Sequence, residues 1–367
     1  MNPAIHKELV AVAKELRELL QTPDAKLDGA QKSYRLGCLL GSVNSWDAAA
    51  ACMQLAGRLD PLDRAAGAGM AECGIRLFQN GVPSPQRRLP PERFDGKISV
   101  VICSITPLKL ERMRAQFTRL LDGEPWELIH IDDAHSLSEG YDRGIDRASG
   151  EIVILCHDDI EIFCDDFAAK LRTYLFHCDL IGVAGATKLA GPMWSWAGAP
   201  YVWAWVGHPL EDNRSMALCW GLYGPLVVGA QTLDGLFFAA RKSLFDRVRY
   251  DAETFDGFHF YDLDFSYRAA LAGARCGIGL DITIFHESLG HYDTVFEKYA
   301  ERFCQKFPEA RPLSPTPNPS PLPLALPRRS DLKAMHAWCG EWAGQNNKMV
   351  IARINAGLNH LALAPRT

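Results

Sequence analysis

The sequence predicts an α/β protein whose mostly parallel sheet carries helices on both faces, with helical additions at both ends of the chain. From Lys97 onward, short apolar runs rich in β-branched residues alternate with amphipathic helical stretches. These runs are unbroken, as in Ile152–Leu155, which is typical of strands buried on both faces. Residues 2–80 instead repeat apolar side chains at helical spacing, beginning with Leu9, Val12 and Leu16.

Composition divides the 367 residues into five segments. The Pro-rich and Gly-rich stretches between periodic regions are typical of linkers. The predicted segments are a helical domain at 1–82, a linker at 83–96, an α/β domain at 97–310, a Pro-rich extended tether at 311–329 and a C-terminal helical segment at 330–367.

Each element of the α/β domain follows from a local pattern. The predicted strands are β-branched or apolar runs, at 98–104, 126–131, 152–155, 180–185, 232–241, 276–280 and 282–285. The predicted helices lie between them, at 108–121, 138–149, 163–176, 242–248 and 261–272. Gly150 is predicted to end the second of these helices as a C-terminal glycine.

The helical segments permit two interpretations. One interpretation is a hairpin similar to the tetratricopeptide type. It is suggested by small residues around Gly37, an Ala-rich helix after Trp46 and the closing Asp60-Pro61. Such a hairpin would serve a homodimer or a protein partner. The alternative is a helical cap packed on the main domain.

Composition excludes several classes of function. The net charge of −5 is spread along the chain, and no basic stripe predicts a nucleic-acid partner. The first twenty residues lack the apolar core of a signal peptide, and no window is long and apolar enough to span a bilayer. The eleven cysteines form no zinc-spaced pairs. We therefore expect reduced thiols and a cytoplasmic protein, either free or peripheral at the inner face of the membrane.

Polar residues gather where predicted strands or turns end. Carboxyl ends of parallel strands meet at one edge of a sheet, where α/β proteins bind ligands. The residues concerned are Asp132, Asp133, Asp158, Asp159, Asp234, Asp262, Asp264 and His286. Because no Gly-rich phosphate loop is present, a diphosphate would need another source of neutralisation, and such ligands suit Mg²⁺ or Mn²⁺.

Simpler interpretations exist for the same residues. Asp158 and Asp159 alone are equally compatible with a turn that caps the next helix. A single histidine after a strand, such as His286, is more often structural than a ligand. The tryptophans at 194–220 either stack on sugar rings or form a hydrophobic flap over the core.

Six segments in order resemble the catalytic domain of a family 2 glycosyltransferase with the GT-A fold, over Lys97 to about Phe307. The closing FHESLG further resembles a subgroup with a histidine at the end of the domain, beside an HDD form of the DxD motif. The six segments are ISVVICSIT, ELIHIDD, RGIDRASGE, ILCHDDIEI, LDGLFFAAR and YDLDFSYR.

The resemblance implies a role for each candidate residue. It implies a nucleotide-sugar site at Cys103, Ser104, Asp132, Asp133, Asp158 and Asp234. It implies Mn²⁺ or Mg²⁺ ligation by Asp159 and His286, and a general base at Asp262, with Asp264 as the alternative base or as a helix cap. Two positions depart from the pattern: His157 replaces the first Asp of the DxD motif, and Tyr261 replaces the Glu of a Glu-Asp pair.

The implied function is transfer of a sugar from a nucleoside diphosphate sugar, UDP-sugars being favoured, to an acceptor hydroxyl with inversion. The acceptor would be a sugar, a lipid-linked glycan or a protein, in surface polysaccharide, lipopolysaccharide or protein glycosylation. Two alternatives are a catalytically silent binding protein acting through its helical segments and a metal-dependent nucleotidyltransferase. The second would normally carry a Gly-rich or basic phosphate loop near the first strand, which is absent from the sequence.

Overall fold

The computed structural model describes residues 1–21, 26–86, 88–210, 214–290, 293–311 and 321–361. The chain forms two compact units. The first comprises Met1–Arg87, Cys219–Gly224 and Pro321–Thr367, and the second comprises Arg88–Leu218 and Pro225–Ser320. Residues 312–320 of the predicted Pro-rich tether lie outside the described residues.

The first unit is helical. Asn2 accepts a hydrogen bond from the amide of Ala4 and so caps the first helix, which begins at Pro3. Its elements are α1 (Pro3–Leu19), α2 (Lys26–Ser42), α3 (Trp46–Leu59), α4 (Arg64–Gln79), β14 (Leu322–Leu326), α10 (Asp331–Ala343) and α11 (Asn347–His360).

Helix α3 is the centre of this unit, and its residues 48–57 are all buried. Small side chains let its neighbours approach closely. A Cβ at Gly37 of α2 would lie 2.9 Å from Met53 Cε and 3.2 Å from the carbonyl oxygen of Ala49. The Ala-rich composition of α3 therefore reflects its packing against helices on several sides.

The C-terminal helices pack on the N-terminal ones, a point that the sequence left open: α11 lies against α3 and α10 against α4. Arg353 of α11 donates to both carboxylate oxygens of Asp47, at 2.8 and 3.1 Å. The side-chain amide of Gln54 donates to the carbonyl oxygen of Trp342 at 2.5 Å.

The second unit is built on a mixed sheet. Its strands are β1 (Ile98–Cys103), β2 (Trp126–Ile131), β3 (Ile152–Cys156), β5 (Leu180–Gly182), β9 (Val227–Val228), β11 (Phe237–Arg241) and β12 (Cys276–Ile278). The spatial order is β2-β1-β3-β11-β5-β12-β9. Five strands run in one direction, and β11 and β9 run against them. The predicted α/β class is thus confirmed.

A second sheet lies beside it and was not predicted. Its strands are β4 (Ile160–Ile162), β6 (Ala184–Ala186), β7 (Val202–Pro209), β8 (Ser215–Trp220), β10 (Thr232–Leu233) and β13 (Ile284–His286). The order β10-β6-β7-β13-β4 is mainly antiparallel. Several of these strands have only two or three residues, which is too short for a period-2 pattern to emerge.

Helices cover the first sheet and flank the second. They are α5 (Pro107–Leu120), α6 (Leu137–Arg147), α7 (Phe167–His177), α8 (Tyr261–Leu271) and α9 (Thr294–Lys306). The prediction for Gly150 was wrong, because α6 ends at Arg147. A Cβ at Gly150 would lie 2.4 Å from the carbonyl oxygen of Lys97, so a close approach to β1 requires this glycine.

The chain passes between the two sheets several times, including at the following three places. Residues 157–159 join β3 to β4, Val183 joins β5 to β6, and residues 234–236 join β10 to β11. The run at 180–185, predicted as one strand, is therefore two strands in different sheets. Two of these crossings carry predicted site residues. No helix among the described residues is long and apolar enough to cross a membrane.

Candidate active site

The site is built where β3 ends. All five residues of β3 are buried, and the chain then turns through His157, Asp158 and Asp159 into β4. The amide of His157 donates to the carbonyl oxygen of Leu236 at 3.1 Å, which ties this turn to the crossing at 234–236. The polar residues thus occupy the junction of the two sheets.

Strand pairing brings His286 to this turn. In the antiparallel ladder of β13 and β4, His286 lies opposite Ile160, directly after Asp159. The amide of Glu287 donates to the carbonyl oxygen of Asp159 at 2.9 Å and extends the ladder. A histidine distant in sequence is thereby fixed beside the carboxylate.

Three side chains converge there. His286 Nε2 lies 3.3 Å from Asp159 Oδ1 and 3.4 Å from His157 Nδ1. His157 Nδ1 lies 3.9 Å from Asp159 Oδ1. One ligand atom from each of His157, Asp159 and His286 therefore lies within 4.8 Å of the others.

Electrostatics favour the ligand forms of these groups. Burial, and then the neighbouring His286, lower the pKa of His157 to about 4. Burial tends to raise the pKa of Asp159, but its hydrogen bond to His286 and the nearby His157 and Lys109 hold that pKa well below the usual value. At neutral pH, His157 is a neutral imidazole and Asp159 is a carboxylate, which are the forms that ligate metals.

The cluster therefore fits a divalent ion. Two imidazole nitrogens and one carboxylate oxygen suit borderline ions such as Mn²⁺ better than Mg²⁺, which prefers oxygen ligands. The side chain of Ser288 is also close, with Oγ at 3.1 Å from His286 Nε2. The ring of His208 is also close, with its centroid 5.7 Å from that of His286.

Asp158 makes different contacts from Asp159. It accepts hydrogen bonds from Ser104 Oγ at 2.7 Å and from Lys109 Nζ at 3.0 Å. Ser104 follows β1 and Lys109 lies in the first turns of α5. Asp158 is thus joined to the predicted nucleotide side of the site. Lys109 was missed from the sequence, although a basic residue early in the helix after β1 was a usable signal.

The remaining predicted nucleotide residues lie at the ends of β1 and β2. Cys103 pairs with Ile131, so it lies next to the turn that begins at Asp132. Asp132 and Asp133 are exposed, and Asp133 Oδ1 accepts from the guanidinium of Arg143 at 2.8 Å. Burial raises the pKa of the Cys103 thiol to about 12, so it remains protonated. Among the described residues, none of these three side chains forms a hydrogen bond or an ion pair with His157, Asp159 or His286.

Asp234 and Asp262 form a second acidic pair. Asp262 Oδ2 accepts from the amide of Gly235 at 2.8 Å, and Asp234 Oδ2 accepts from Trp194 Nε1 at 3.0 Å. Burial, and then the negative charge of Asp234, raise the pKa of Asp262 to about 7. A carboxyl group that titrates near neutrality is suited to proton transfer.

Asp264 lies in another environment. It is fully buried, and its carboxylate accepts from Arg268 Nε at 2.8 Å and from Lys306 Nζ at 2.5 Å. Lys306 also pairs with Asp251 at 2.5 Å. The structure places Asp264 in an ion-pair network and apart from the contacts of Asp262.

The residue before Asp262 links the two parts of the site. Tyr261 Oη lies 2.7 Å from His157 Nε2. Helix α8 begins directly after Phe260, whose φ of 64° is in the left-handed region that costs about 1 kcal/mol or more for such a residue. Sequence reasoning noted both His157 and Tyr261 as departures but did not predict their contact.

The tryptophans at 194–220 lie in different environments. Trp205 is buried in the core, whereas Trp194, Trp196 and Trp203 are partly exposed. Of these, Trp194 reaches the site through its hydrogen bond to Asp234. The cluster is therefore partly structural, and one member contacts a predicted donor-binding residue.

The fold and the site define an α/β protein with imidazoles and carboxylates gathered at the ends of its strands. Residues 100–307 match the model of a family described as "Glycosyltransferase like family". Because the match spans more than half of the chain, the protein belongs to this glycosyltransferase-like family. No protein of curated function matches the chain in sequence.

Solved structures similar to the chain are remote in sequence. The mannosyltransferase PcManGT from Pyrobaculum calidifontis, in complex with GDP-Man and Mn²⁺, is 11% identical over 87% of this chain and 88% of its own, with a TM-score of 0.36. GalNAc-T7, with UDP, GalNAc and Mn²⁺, is 14% identical over 80% and 65%, with a TM-score of 0.34. A197 from STIV is 8% identical over 54% and 97%, with a TM-score of 0.30.

Proposed function

We propose that the protein transfers a sugar from a nucleoside diphosphate sugar to an acceptor hydroxyl, in a site of GT-A type that holds a divalent metal ion. The observation that supports this most is the convergence of His157, Asp159 and His286 at the ends of β3 and β13. Family membership supports sugar transfer, and the cluster would hold the positive ion that a diphosphate leaving group requires. We also propose that the HDD turn and the FHES histidine mark a subgroup of the family.

His157, Asp159 and His286 would hold the ion through two nitrogens and one oxygen. A bound divalent ion supplies positive charge that stabilises a departing nucleoside diphosphate. The chain adds a positive charge of its own through Lys109, which is paired with Asp158 beside Ser104. We assign the corner of the site formed by Ser104, Lys109 and Asp158 to binding of the nucleotide. Cys103 and the exposed Asp132 and Asp133 are assigned to the nucleotide as well.

Asp262 is the proposed general base. Its carboxylate is oriented by the amide of Gly235, and its raised pKa lets it accept a proton near pH 7. Asp234 lies beside it and is oriented by Trp194, so we assign Asp234 to the transferred sugar. Proton removal from the acceptor by Asp262, with attack opposite the leaving group, would invert the anomeric centre.

A panel of nucleotide sugars tests this proposal. Purified protein would be incubated with UDP-sugars and GDP-mannose, with Mn²⁺, and nucleoside diphosphate release would be measured alongside the thermal unfolding temperature. We expect one donor to be turned over and to raise that temperature, because a ligand that binds only the folded state stabilises it. Donor binding without turnover would favour the silent binding protein instead.

The stereochemistry requires a separate experiment. Once a donor and an acceptor are known, the anomeric configuration of the product follows from its proton coupling constants in solution NMR. An inverted product would support a single displacement with Asp262 as base. Retention would contradict the role proposed for Asp262.

A further inference from the structure

The hydroxyl of Tyr261 contacts the outer nitrogen of a metal-cluster histidine. Tyr261 Oη lies 2.7 Å from His157 Nε2, while Nδ1 of the same ring faces His286 and Asp159 at 3.4 and 3.9 Å. Tyr261 itself is only 3% exposed. The imidazole of His157 is thus held between the phenol of Tyr261 on one side and His286 and Asp159 on the other.

The chemistry of histidine indicates which atom donates the hydrogen in this contact. A neutral imidazole has one N–H and one lone pair, and only the nitrogen with the lone pair can ligate a metal. If Nε2 carries the hydrogen and donates it to Tyr261 Oη, then Nδ1 is free to act as a ligand. A histidine ligand commonly donates its other N–H to an oxygen in this way, which fixes both the tautomer and the ring orientation.

We infer that Tyr261 is a positioning residue that makes His157 a third metal ligand, through Nδ1. The inference rests on the proposed metal-dependent function and adds to it a role for the two residues that depart from the family pattern. The two departures would then act together, because the histidine at 157 requires a hydrogen-bond acceptor at 261.

The surroundings of Tyr261 hold its hydroxyl in place. Its ring packs against Tyr141 and Tyr250, with centroids 5.8 and 6.2 Å apart. Opposite the hydroxyl, a Cβ at Gly235 would lie only 2.2 Å from Tyr261 Oη, so this position must be glycine. Gly235 also donates its amide to Asp262, so the same close contact fixes the proposed base.

The chain offers a matched control for removing this hydroxyl. Tyr141 is 1% exposed, belongs to the same aromatic cluster, and its hydroxyl has no hydrogen-bond partner among the described residues. Tyr261→Phe and Tyr141→Phe therefore delete the same atom from neighbouring buried rings. Only the first deletion removes a contact to His157.

The test is Mn²⁺ binding by the full chain without donor, measured by calorimetry and by the nitrogen couplings of bound Mn²⁺ in pulsed EPR. We expect Tyr261→Phe to weaken Mn²⁺ binding by about 10- to 100-fold, the usual effect of losing an outer partner of a metal ligand. We expect the coupling from one of the two imidazoles to be lost or altered. Tyr141→Phe should bind Mn²⁺ like the unaltered protein.

A double-mutant cycle separates positioning from general destabilisation. In a His157→Ala background, Tyr261→Phe should have no further effect on Mn²⁺ affinity, because its partner is already absent. Equal Mn²⁺ affinity in Tyr261→Phe and the unaltered protein would overturn the inference, as would additive effects in the cycle. Failure of the unaltered protein to bind Mn²⁺ would instead refute the metal site itself, and this inference with it.

Discussion

His286 Nε2 lies 3.3 Å from Asp159 Oδ1 because His286 stands opposite Ile160 in the ladder of β13 and β4. A shift of that ladder by one residue would turn the imidazole to the other face of the sheet. The contact therefore depends on strand register, and the second sheet, although small, has a direct part in building the site.

Asp159→Asn should abolish Mn²⁺ binding, whereas Asp158→Asn should retain it. Asp159 is the carboxylate of the cluster, but Asp158 bonds to Ser104 and Lys109. The expected loss for Asp159→Asn is at least the roughly 10- to 100-fold typical of changes around a metal ligand. Calorimetric titration with Mn²⁺ measures both variants, and equal losses would contradict the division of roles between the two aspartates.

The ligand set also predicts which metal supports turnover. Two imidazoles and one carboxylate favour Mn²⁺ over Mg²⁺, since Mg²⁺ prefers oxygen ligands and gives up its waters reluctantly. We expect a lower half-saturating concentration for Mn²⁺ than for Mg²⁺ when nucleoside diphosphate release is titrated with each ion. Replacing His157 by Asp should reduce that preference; an unchanged ratio would argue that His157 is not a ligand.

Part of this site could be predicted from the sequence. Asp159 and His286 followed strand-like runs and resembled a family motif, and the structure brings them together. The contacts of His157 with His286 and Tyr261 were not predictable, because they depend on the register of β13 and on the left-handed Phe260 that starts α8. Neither feature has a period or a composition that a sequence pattern detects.

The same limit applies to the fold. Long buried strands such as β3 were found with nearly correct ends, because an unbroken apolar run is a strong signal. The pair β5 and β6 was read as one strand, since the change of sheet at Val183 leaves the apolar run intact. Gly150 was also misread: it allows a close approach to the backbone of Lys97, just before β1, and does not end a helix.

The rate of transfer should decrease as the pH is lowered below about 7. Burial and then Asp234 raise the pKa of Asp262 to about 7, and a general base must be deprotonated to act. Below that pH, kcat/KM should fall about tenfold per pH unit. Burial holds the pKa of His157 at about 4, so its titration lies below this range.

Two controls accompany the pH profile. Mn²⁺ affinity should be measured at each pH, so that loss of metal is not mistaken for protonation of the base. Asp262→Asn should bind donor with normal affinity but lose turnover by roughly two to four orders of magnitude. A profile that is flat between pH 5 and 8 would exclude Asp262 as the titrating base.

Asp264→Ala should destabilise the fold. The change leaves Arg268 and Lys306 without a buried carboxylate, and breaking such a pair typically costs about 3–5 kcal/mol. Asp256→Ala is the matched control, because Asp256 pairs with Arg302 on the surface and such pairs contribute about 1 kcal/mol or less. Thermal unfolding followed by circular dichroism should show a large decrease only for Asp264→Ala. Similar decreases in both variants would contradict the ion-pair role.

Lys109→Met should raise the KM for the donor more than it lowers kcat. The ammonium of Lys109 lies beside Asp158 in the corner assigned to the nucleotide, and its positive charge would attract a diphosphate. Arg114→Met, on the same helix and paired with Glu111, is the control and should leave KM unchanged. Steady-state kinetics with the identified donor measure KM and kcat for both variants. An unchanged KM in Lys109→Met would place the diphosphate elsewhere.

The central claim is that the cluster of His157, Asp159 and His286 binds a divalent ion on which sugar transfer depends. The most direct test is release of nucleoside diphosphate from the identified donor after treatment with EDTA, followed by addition of Mn²⁺. We predict that EDTA abolishes turnover, and that Mn²⁺ restores it in the unaltered protein but not in Asp159→Asn. Full turnover in the presence of EDTA would contradict the claim.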